Sequence, residues 1–269
     1  MFHSLLKKII VCCSLFFAFS LLNAFSKKST TGNLSQKKDK VWVFVMAGQS
    51  NMAGRGVVEA EDTLTNDRIF TIDKNGKMIL AKEPLHFYEP NLVGLDCGLS
   101  FAKTLLKSVP KDVSILILPT AVGGSSISQW LGDSVHRGVK LYSNFLEKIE
   151  FAKKNGEIKG VLWHQGESDT NPRDIPLYKE RLGTLISRFR EAAGNKKLPV
   201  LLGELGSYSA NPTNWELINE EIRKYAKEDK YSSVISTKDF KDKGDHIHFN
   251  SAGQRELGKR FAEAWLKFN

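Results

Sequence analysis

Residues 41–52 read VWVFVMAGQSNM, and this stretch decides the fold class. Residues 41–47 are apolar at consecutive positions, which is typical of a strand that helices cover on both faces. Gly48 then breaks the apolar run, and Ser50 follows in a short polar turn. This pattern indicates an open α/β sheet, whose ligands bind beyond the carboxyl ends of its strands.

Four further short apolar runs predict strands at residues 113–118, 160–164, 199–203 and 233–237. Helical periodicity predicts helices at residues 98–108, 141–154, 175–193, 214–228 and 251–267, the last with Ser251 and Gln254 at the spacing of a capping box. Residues 54–96 have weak periodicity and predict a long excursion over the edge of the sheet. The alternation predicts an α/β fold, a three-layer α/β/α sandwich around a parallel sheet of about five strands.

The N-terminal residues predict export from the cytoplasm. Lys7 and Lys8 precede an apolar run at residues 9–22, and Ala24 supplies a small residue for cleavage, so residues 1–24 are interpreted as a secretory signal peptide. The run is too short to span a bilayer comfortably, and no membrane span is expected in the mature protein. We expect residues 25–40, polar and rich in lysine, to be a flexible tether, and residues 41–269 to form one domain in a secreted or periplasmic protein.

Charge and cysteine content narrow the function further. The formal net charge is +9 and becomes +7 once Lys7 and Lys8 are removed with the signal peptide. No basic stripe alternates with aromatic residues, so nucleic acid is not an expected partner. Cys12 and Cys13 lie in the apolar run, which leaves Cys97 without a disulfide partner. We expect a monomer that is stabilised by its packed core.

Polar residues follow four of the predicted strands, at positions that a parallel sheet brings to one edge. These blocks are Gly48-Gln49-Ser50-Asn51, the Gly123-Gly124 turn, the segment from His164 to Asp169, and the segment from Asp245 to Phe249. Because ligands of open α/β sheets bind at this edge, the blocks are the candidate functional residues.

Ser50 is the first candidate nucleophile, although a serine at a strand end is also a common helix cap. Asp245 and His248 are three residues apart, so the carboxylate is able to orient an imidazole that takes the serine proton. His248 is alternatively a cap of the last helix. His246 and His248 also have the spacing of a two-histidine metal site, but no further group of ligand spacing accompanies them. No metal or cofactor is expected.

Two other groups are candidate donors to a negatively charged oxygen. Gly123 and Gly124 allow backbone N–H groups to approach a ligand closely. Gln165 offers a side-chain amide, or else is a buried glutamine that satisfies loop backbone groups. Ser100, in the sequence Gly98-Leu99-Ser100-Phe101-Ala102, is a weaker candidate nucleophile because no strand precedes it.

Taken together, the four blocks resemble the conserved blocks of SGNH hydrolases. More narrowly, they are similar to the sialate O-acetylesterase-like domain and to the acetylxylan esterases of carbohydrate esterase family six. The resemblance spans residues 41–265, and its most specific motifs are AGQSNM at residues 47–52 and WHQGESD at residues 163–169. It implies that Ser50 is the nucleophile, His248 the base and Asp245 the residue that orients it. Glu167 is either a second acid on the histidine or a structural residue.

The resemblance also implies an oxyanion hole made by the N–H of Ser50, an N–H of Gly123 or Gly124, and the side chain of Gln165. General SGNH enzymes have Asn where this chain has Gln165. The implied function is that of a serine esterase that removes O-acetyl groups from an oligo- or polysaccharide through an acyl-enzyme, without a cofactor.

Two alternatives from other function classes remain open. A noncatalytic carbohydrate-binding protein would stack sugars on Trp130, Trp163 or Tyr208, although such aromatic residues are more often part of a core. An SGNH lipase or thioesterase would use the same fold on another substrate. Arg55 is a candidate to pair with the carboxylate of an acidic sugar, or else is a structural clamp.

Overall fold

Seven strands form the central sheet of the computed structural model, which describes residues 38–268. The described residues contain nine strands in all, which in chain order are β1 (Val41–Gly48), β2 (Ile69–Ile72), β3 (Met78–Leu80), β4 (Ser114–Pro119), β5 (Val135–His136), β6 (Val139–Lys140), β7 (Glu157–His164), β8 (Val200–Gly203) and β9 (Ser232–Ile235). The sheet order is β3-β2-β4-β1-β7-β8-β9, and β5 and β6 form a separate hairpin. All neighbours in the large sheet are parallel except β2 and β3. The predicted α/β sandwich is confirmed.

The sheet has more strands than the sequence predicted, because β2 and β3 lie within the excursion of residues 54–96. They have four and three residues, too few for a periodic pattern to stand out. β2 pairs with β4 and extends the sheet, while β3 is antiparallel to β2 at the sheet edge. The central sheet is therefore mostly parallel and has seven strands, where the sequence predicted about five.

Helices cover both faces of the sheet. They are α1 (Ser50–Ala53), α2 (Gly98–Leu105), α3 (Ile127–Leu131), α4 (Leu141–Asn155), α5 (Tyr178–Ala193), α6 (Pro212–Glu228) and α7 (Ser251–Trp265). Side chains of α2 and α7 belong to one hydrophobic cluster, and those of α3, α4, α5 and α6 belong to the other. In β1, Val43 and Val45 join the second cluster, whereas Phe44 and Met46 join the first. This two-sided burial is the reason that β1 is apolar at consecutive positions.

The start of α7 differs from the sequence prediction. Asn250 is the cap, because its side chain accepts a hydrogen bond from the N–H of Gly253 at 2.8 Å. Ser251 is already helical, and the side chain of Gln254 donates instead to the carbonyl of Asn51 at 3.0 Å. The predicted capping box is therefore wrong. Gln254 ties α7 to the turn after β1.

The predicted signal peptide and residues 25–37 of the predicted tether lie outside the described residues. The last three tether residues, Lys38–Lys40, form a short 3₁₀ helix that leads into β1. No helix within residues 38–268 is long and apolar enough to cross a membrane. Cys97 is buried as a free thiol.

Candidate active site

The predicted polar blocks meet at the carboxyl edge of the sheet. Ser50 lies two residues after the end of β1, the Gly123–Gly124 turn follows β4, and Gln165 follows β7. The segment with Asp245 and His248 lies between β9 and α7. Because β1, β4, β7 and β9 all run in the same direction, their ends bring these blocks to one side of the molecule.

Ser50, His248 and Asp245 form a hydrogen-bonded series. Nε2 of His248 lies 3.0 Å from Oγ of Ser50, and Nδ1 of His248 lies 2.7 Å from Oδ2 of Asp245. A carboxylate accepts but does not donate, so Nδ1 of His248 carries the proton in this pair. Nε2 is then free to accept the proton of the Ser50 hydroxyl. This is the arrangement that turns a serine hydroxyl into a nucleophile.

Asp245 keeps its negative charge over a wide pH range. Burial raises its pKa, but the hydrogen bond from the His248 side chain and those from the N–H groups of His248 and Ile247 outweigh burial and lower the pKa to about 2. A charged Asp245 therefore orients the imidazole and stabilises the imidazolium that forms when His248 takes a proton.

Asn51 holds the backbone on both sides of His248. Its Nδ2 donates to the carbonyl of Ile247 at 3.1 Å, and its Oδ1 accepts from the N–H of Phe249 at 2.9 Å. The Asn51 side chain is fully buried. The residue next to the serine therefore fixes the position of the histidine. The sequence analysis did not assign this role to Asn51. The feature of the sequence that could have indicated it is the position of Asn51 next to Ser50 in the block after β1.

Glu167 lies in a different position from that expected of a second acid on His248. Its Oε1 accepts from Nδ2 of Asn51 at 2.7 Å and lies 3.8 Å from Nδ1 of His164. Within residues 38–268 no hydrogen bond joins Glu167 to His248. The carboxylate acts on His248 indirectly, because it orients the amide of Asn51.

The loop after β4 presents one free backbone donor. Four consecutive N–H groups of this loop donate within the protein. The N–H of Thr120 donates to the carbonyl of Met46, that of Ala121 to the ring of His86, that of Val122 to the carbonyl of Gly48, and that of Gly123 to the carboxylate of Glu89. The next N–H, that of Gly124, has no acceptor within residues 38–268, and Gly124 is exposed with a φ of 76°. The N–H of Ser50 likewise has no acceptor in the described part of the chain. The N–H groups of Ser50 and Gly124 therefore remain unpaired at this edge of the sheet, whereas the N–H of Gly123 is already used by Glu89.

Gly123 is required for packing. A Cβ atom there would lie 2.2 Å from a terminal nitrogen of Arg55 and 2.8 Å from Oε1 of Glu89, closer than atoms pack. The two glycines thus have separate roles. Gly123 admits the Arg55–Glu89 pair, and Gly124 offers its N–H to a ligand.

Gln165 is a buried structural residue. Its Nε2 lies 2.6 Å from Oδ2 of Asp169, 3.1 Å from Oε1 of Gln49 and 3.2 Å from the carbonyl of Ser125. An amide nitrogen has two hydrogens, and these acceptors occupy both. The side chain is also fully buried. The structure therefore contradicts the expectation that Gln165 donates to an oxyanion and agrees with the alternative of a glutamine that satisfies its surroundings.

The two predicted substrate contacts are also internal. Trp130 is fully buried, donates from Nε1 to Oγ of Ser125 at 3.0 Å and packs edge-on against Trp163. Stacking of a sugar on Trp130 or on the fully buried Trp163 is therefore excluded. Arg55 is nearly buried and bonds to the carbonyl of Gly54 and to Glu89. It is a structural clamp, as its alternative interpretation proposed.

The remaining candidates do not form a second site. The side chain of His246 is 70% exposed and lies 3.9 Å from Asp242, while both ring nitrogens of His248 are engaged by Ser50 and Asp245. In the described part of the chain, no group of three or more His, Cys, Asp or Glu side chains is placed to hold a metal ion. Ser100 lies in α2 and donates its hydroxyl to a carbonyl of α7 at 2.6 Å.

A Ser–His–Asp series at the carboxyl edge of an α/β sandwich is the arrangement of a serine-type hydrolase. Residues 40–267 match the family described as carbohydrate esterase, sialic acid-specific acetylesterase, and the chain belongs to this family. The protein is therefore a carboxylic ester hydrolase, as the resemblance implied, and the alternative of a noncatalytic binding protein is set aside.

Individual relatives agree with this assignment. A probable carbohydrate esterase of Arabidopsis thaliana is 28% identical over 245 residues, which are 83% of this chain and 90% of that protein. The X-ray structure of an Arabidopsis thaliana protein superimposes with a TM-score of 0.74 and 27% identity over 84% of this chain and 98% of that one. NanS, at 19% identity, shares the fold with a TM-score of 0.66 over 87% of this chain and 98% of its own.

Proposed function

We propose that this protein removes O-acetyl groups from carbohydrates by acyl transfer to Ser50. The observation that carries the proposal is the continuous series from Oγ of Ser50 through His248 to Asp245, with contacts of 3.0 and 2.7 Å. The family and the Arabidopsis relative support a carbohydrate ester as the substrate. The residues assigned below explain how an acetyl ester would be cleaved.

In the first step, Oγ of Ser50 attacks the acetyl carbonyl while Nε2 of His248 takes the hydroxyl proton. The carbonyl oxygen becomes an oxyanion, and the unpaired N–H groups of Ser50 and Gly124 stabilise it. The C–O bond to the sugar then breaks, and the sugar oxygen leaves with the proton from His248. The product of this step is acetyl-Ser50 and a free sugar hydroxyl.

In the second step, a water molecule attacks acetyl-Ser50. His248 takes a proton from the water, the same N–H groups stabilise the second oxyanion, and the proton returns to Oγ of Ser50 as acetate leaves. Asp245 remains a carboxylate throughout, because its pKa is about 2. The mechanism needs no other group than these residues and water.

The site of action proposed for the enzyme is outside the cytoplasm. The support is the N-terminal sequence, in which Lys7 and Lys8 precede the apolar run of residues 9–22. Acetylated cell-surface or extracellular glycans would be within reach of an exported esterase.

The test is release of acetate by the purified protein from O-acetylated sialic acid, acetylated xylan and 4-nitrophenyl acetate. The Ser50→Ala variant should lose turnover on every substrate. Ser100→Ala is the matched control, because it removes another serine hydroxyl that hydrogen-bonds within the fold, and it should retain turnover. Equal turnover of folded wild-type and Ser50→Ala protein would disprove the mechanism. Activity on 4-nitrophenyl acetate without activity on either sugar would disprove the substrate class.

A further inference from the structure

A charged side chain lies beside the free N–H of Gly124. Arg137 is at the tip of the β5–β6 hairpin, with a φ of 50° and Gly138 next to it. A Cβ atom on Gly124 would lie 3.5 Å from Nη2 of Arg137 and 3.7 Å from Nε2 of His136. The guanidinium therefore borders the position where we place the acetyl oxygen.

The hairpin is fixed to this loop by two contacts. Nε2 of His136 is 2.9 Å from the carbonyl oxygen of Gly123 and donates to it, and Nη1 of Arg137 hydrogen-bonds to Oε1 of Glu89. Oε2 of the same carboxylate accepts the N–H of Gly123 at 2.6 Å. The guanidinium and the oxyanion loop thus share one anchor, which holds Arg137 in a defined place relative to Gly124.

The charges at this anchor do not balance. The single carboxylate of Glu89 pairs with both Arg55 and Arg137, so two positive charges meet one negative charge. Burial raises the pKa of Glu89, but the Gly123 N–H and Arg55 outweigh burial and lower it, so Glu89 is ionised. The side chain of Arg55 is 6% exposed and that of Arg137 is 44% exposed. The surplus positive charge therefore faces solvent at Arg137.

Part of the Arg137 guanidinium is also free to bind. Its Nη2 and Nε have no acceptor within residues 38–268, while Nη1 is held by Glu89. A guanidinium presents its donors in a planar fork that matches the two oxygens of a carboxylate. A fixed, half-exposed guanidinium with free donors next to a reaction centre is suited to bind an anionic group of the substrate.

We propose that Arg137 selects O-acetylated sugars that carry a carboxylate. This inference rests on the proposed function and deepens it, because it favours acidic sugars over neutral ones such as xylan. Sialic acids and uronic acids both supply a carboxylate on the sugar ring. Arg55, the arginine that the sequence suggested for this role, is committed to the interior.

The test compares kcat/KM on each acidic substrate with kcat/KM on its methyl ester, which has the same acetyl group but no charge. O-acetylated sialic acid and O-acetylated galacturonic acid are used as separate pairs, so that a preference in one pair identifies the source of the carboxylate. We expect the wild type to prefer the acid. Arg137→Gln should reduce the ratio of acid to ester by about tenfold or more, because a charge-assisted hydrogen bond is lost.

Lys140→Gln is the matched control. It removes one positive charge from the same hairpin, where Lys140 is 62% exposed and lies 3.3 Å from Asp133, and it should leave the ratio unchanged. If the wild-type enzyme has the same kcat/KM on the acid and on its methyl ester, that result alone would overturn the inference. So would an Arg137→Gln protein in which both substrates lose the same factor. Either result leaves the proposed function intact, whereas absence of Ser50-dependent acetate release from every sugar would remove both.

Discussion

Nε2 of His248 lies 3.0 Å from Oγ of Ser50, although 198 residues separate them in the chain. Ser50 follows β1 in the middle of the sheet, and His248 follows β9 at its edge. The contact depends on the loop before α7 crossing from the sheet edge to the centre. Asn51 secures that crossing, since its side chain bonds to the backbone on both sides of His248.

Replacing His248 should abolish most of the activity. His248→Ala removes the base, and a positioned base typically contributes about 10²- to 10⁴-fold in rate, so kcat should fall by this factor. The matched control is His246→Ala, because His246 is two residues away and its side chain is largely exposed, 3.9 Å from Asp242. The kcat of each variant is measured from its rate of acetate release. Equal losses in the two would show that the loop, and not the His248 imidazole, is what matters.

Asp245→Asn should lower both turnover and stability, and the stability loss should depend on pH. The folded-state pKa of about 2 is below the unfolded value of about 3.9. The stabilisation from Asp245 is therefore fully present above pH about 4 and is lost as the pH falls through about 2. Urea unfolding of both proteins at about pH 6 and about pH 2 measures the difference. A difference in unfolding free energy that stays constant with pH would contradict the assigned pKa.

Asn51→Ala should reduce kcat more than its effect on stability explains. The variant frees the backbone around His248, and a displacement of the order of 1 Å at a catalytic group costs up to about 10²-fold in rate. Asn219→Ala is the matched control, since buried Asn219 bonds to both the N–H and the carbonyl of Leu205. We expect both variants to lose unfolding free energy and Asn219→Ala to keep its kcat. A similar kcat for the two, measured with 4-nitrophenyl acetate, would reject a positioning role for Asn51.

Gln165→Ala should primarily destabilise the fold. Within residues 38–268 it leaves the buried carbonyl of Ser125 without a donor, while the oxygens of Gln49 and Asp169 each lose one of two donors. A buried group left unsatisfied costs about 1–3 kcal/mol. The free energy of unfolding in urea should therefore fall by about that amount or more. If Gln165 instead donated to the oxyanion, kcat would fall while the free energy of unfolding stayed near the wild-type value.

Local patterns predicted the layers of the fold. The consecutive apolar residues of β1 and the four-residue spacing of Leu257, Phe261 and Trp265 in α7 report burial of single elements, which neighbouring residues determine. The order of polar blocks behind the strands predicted the edge where Ser50 and His248 meet, because parallel strands end on one side. Short β2 and β3 escaped prediction, since their place depends on an open edge of the sheet beside β4.

Tertiary structure alone decided which polar groups are free. Gln165 and Trp130 are residue types that often bind ligands, yet both side chains are fully buried among segments that are distant in the chain. Arg55 and Arg137 are the same residue type and both pair with Glu89, but the side chain of Arg55 is buried and that of Arg137 is half-exposed. Hydrogen-bond satisfaction and burial depend on partners that are far apart in the chain. The motifs thus determined which chemistry meets at the sheet edge, and the packing of the loops determined which atoms face a substrate.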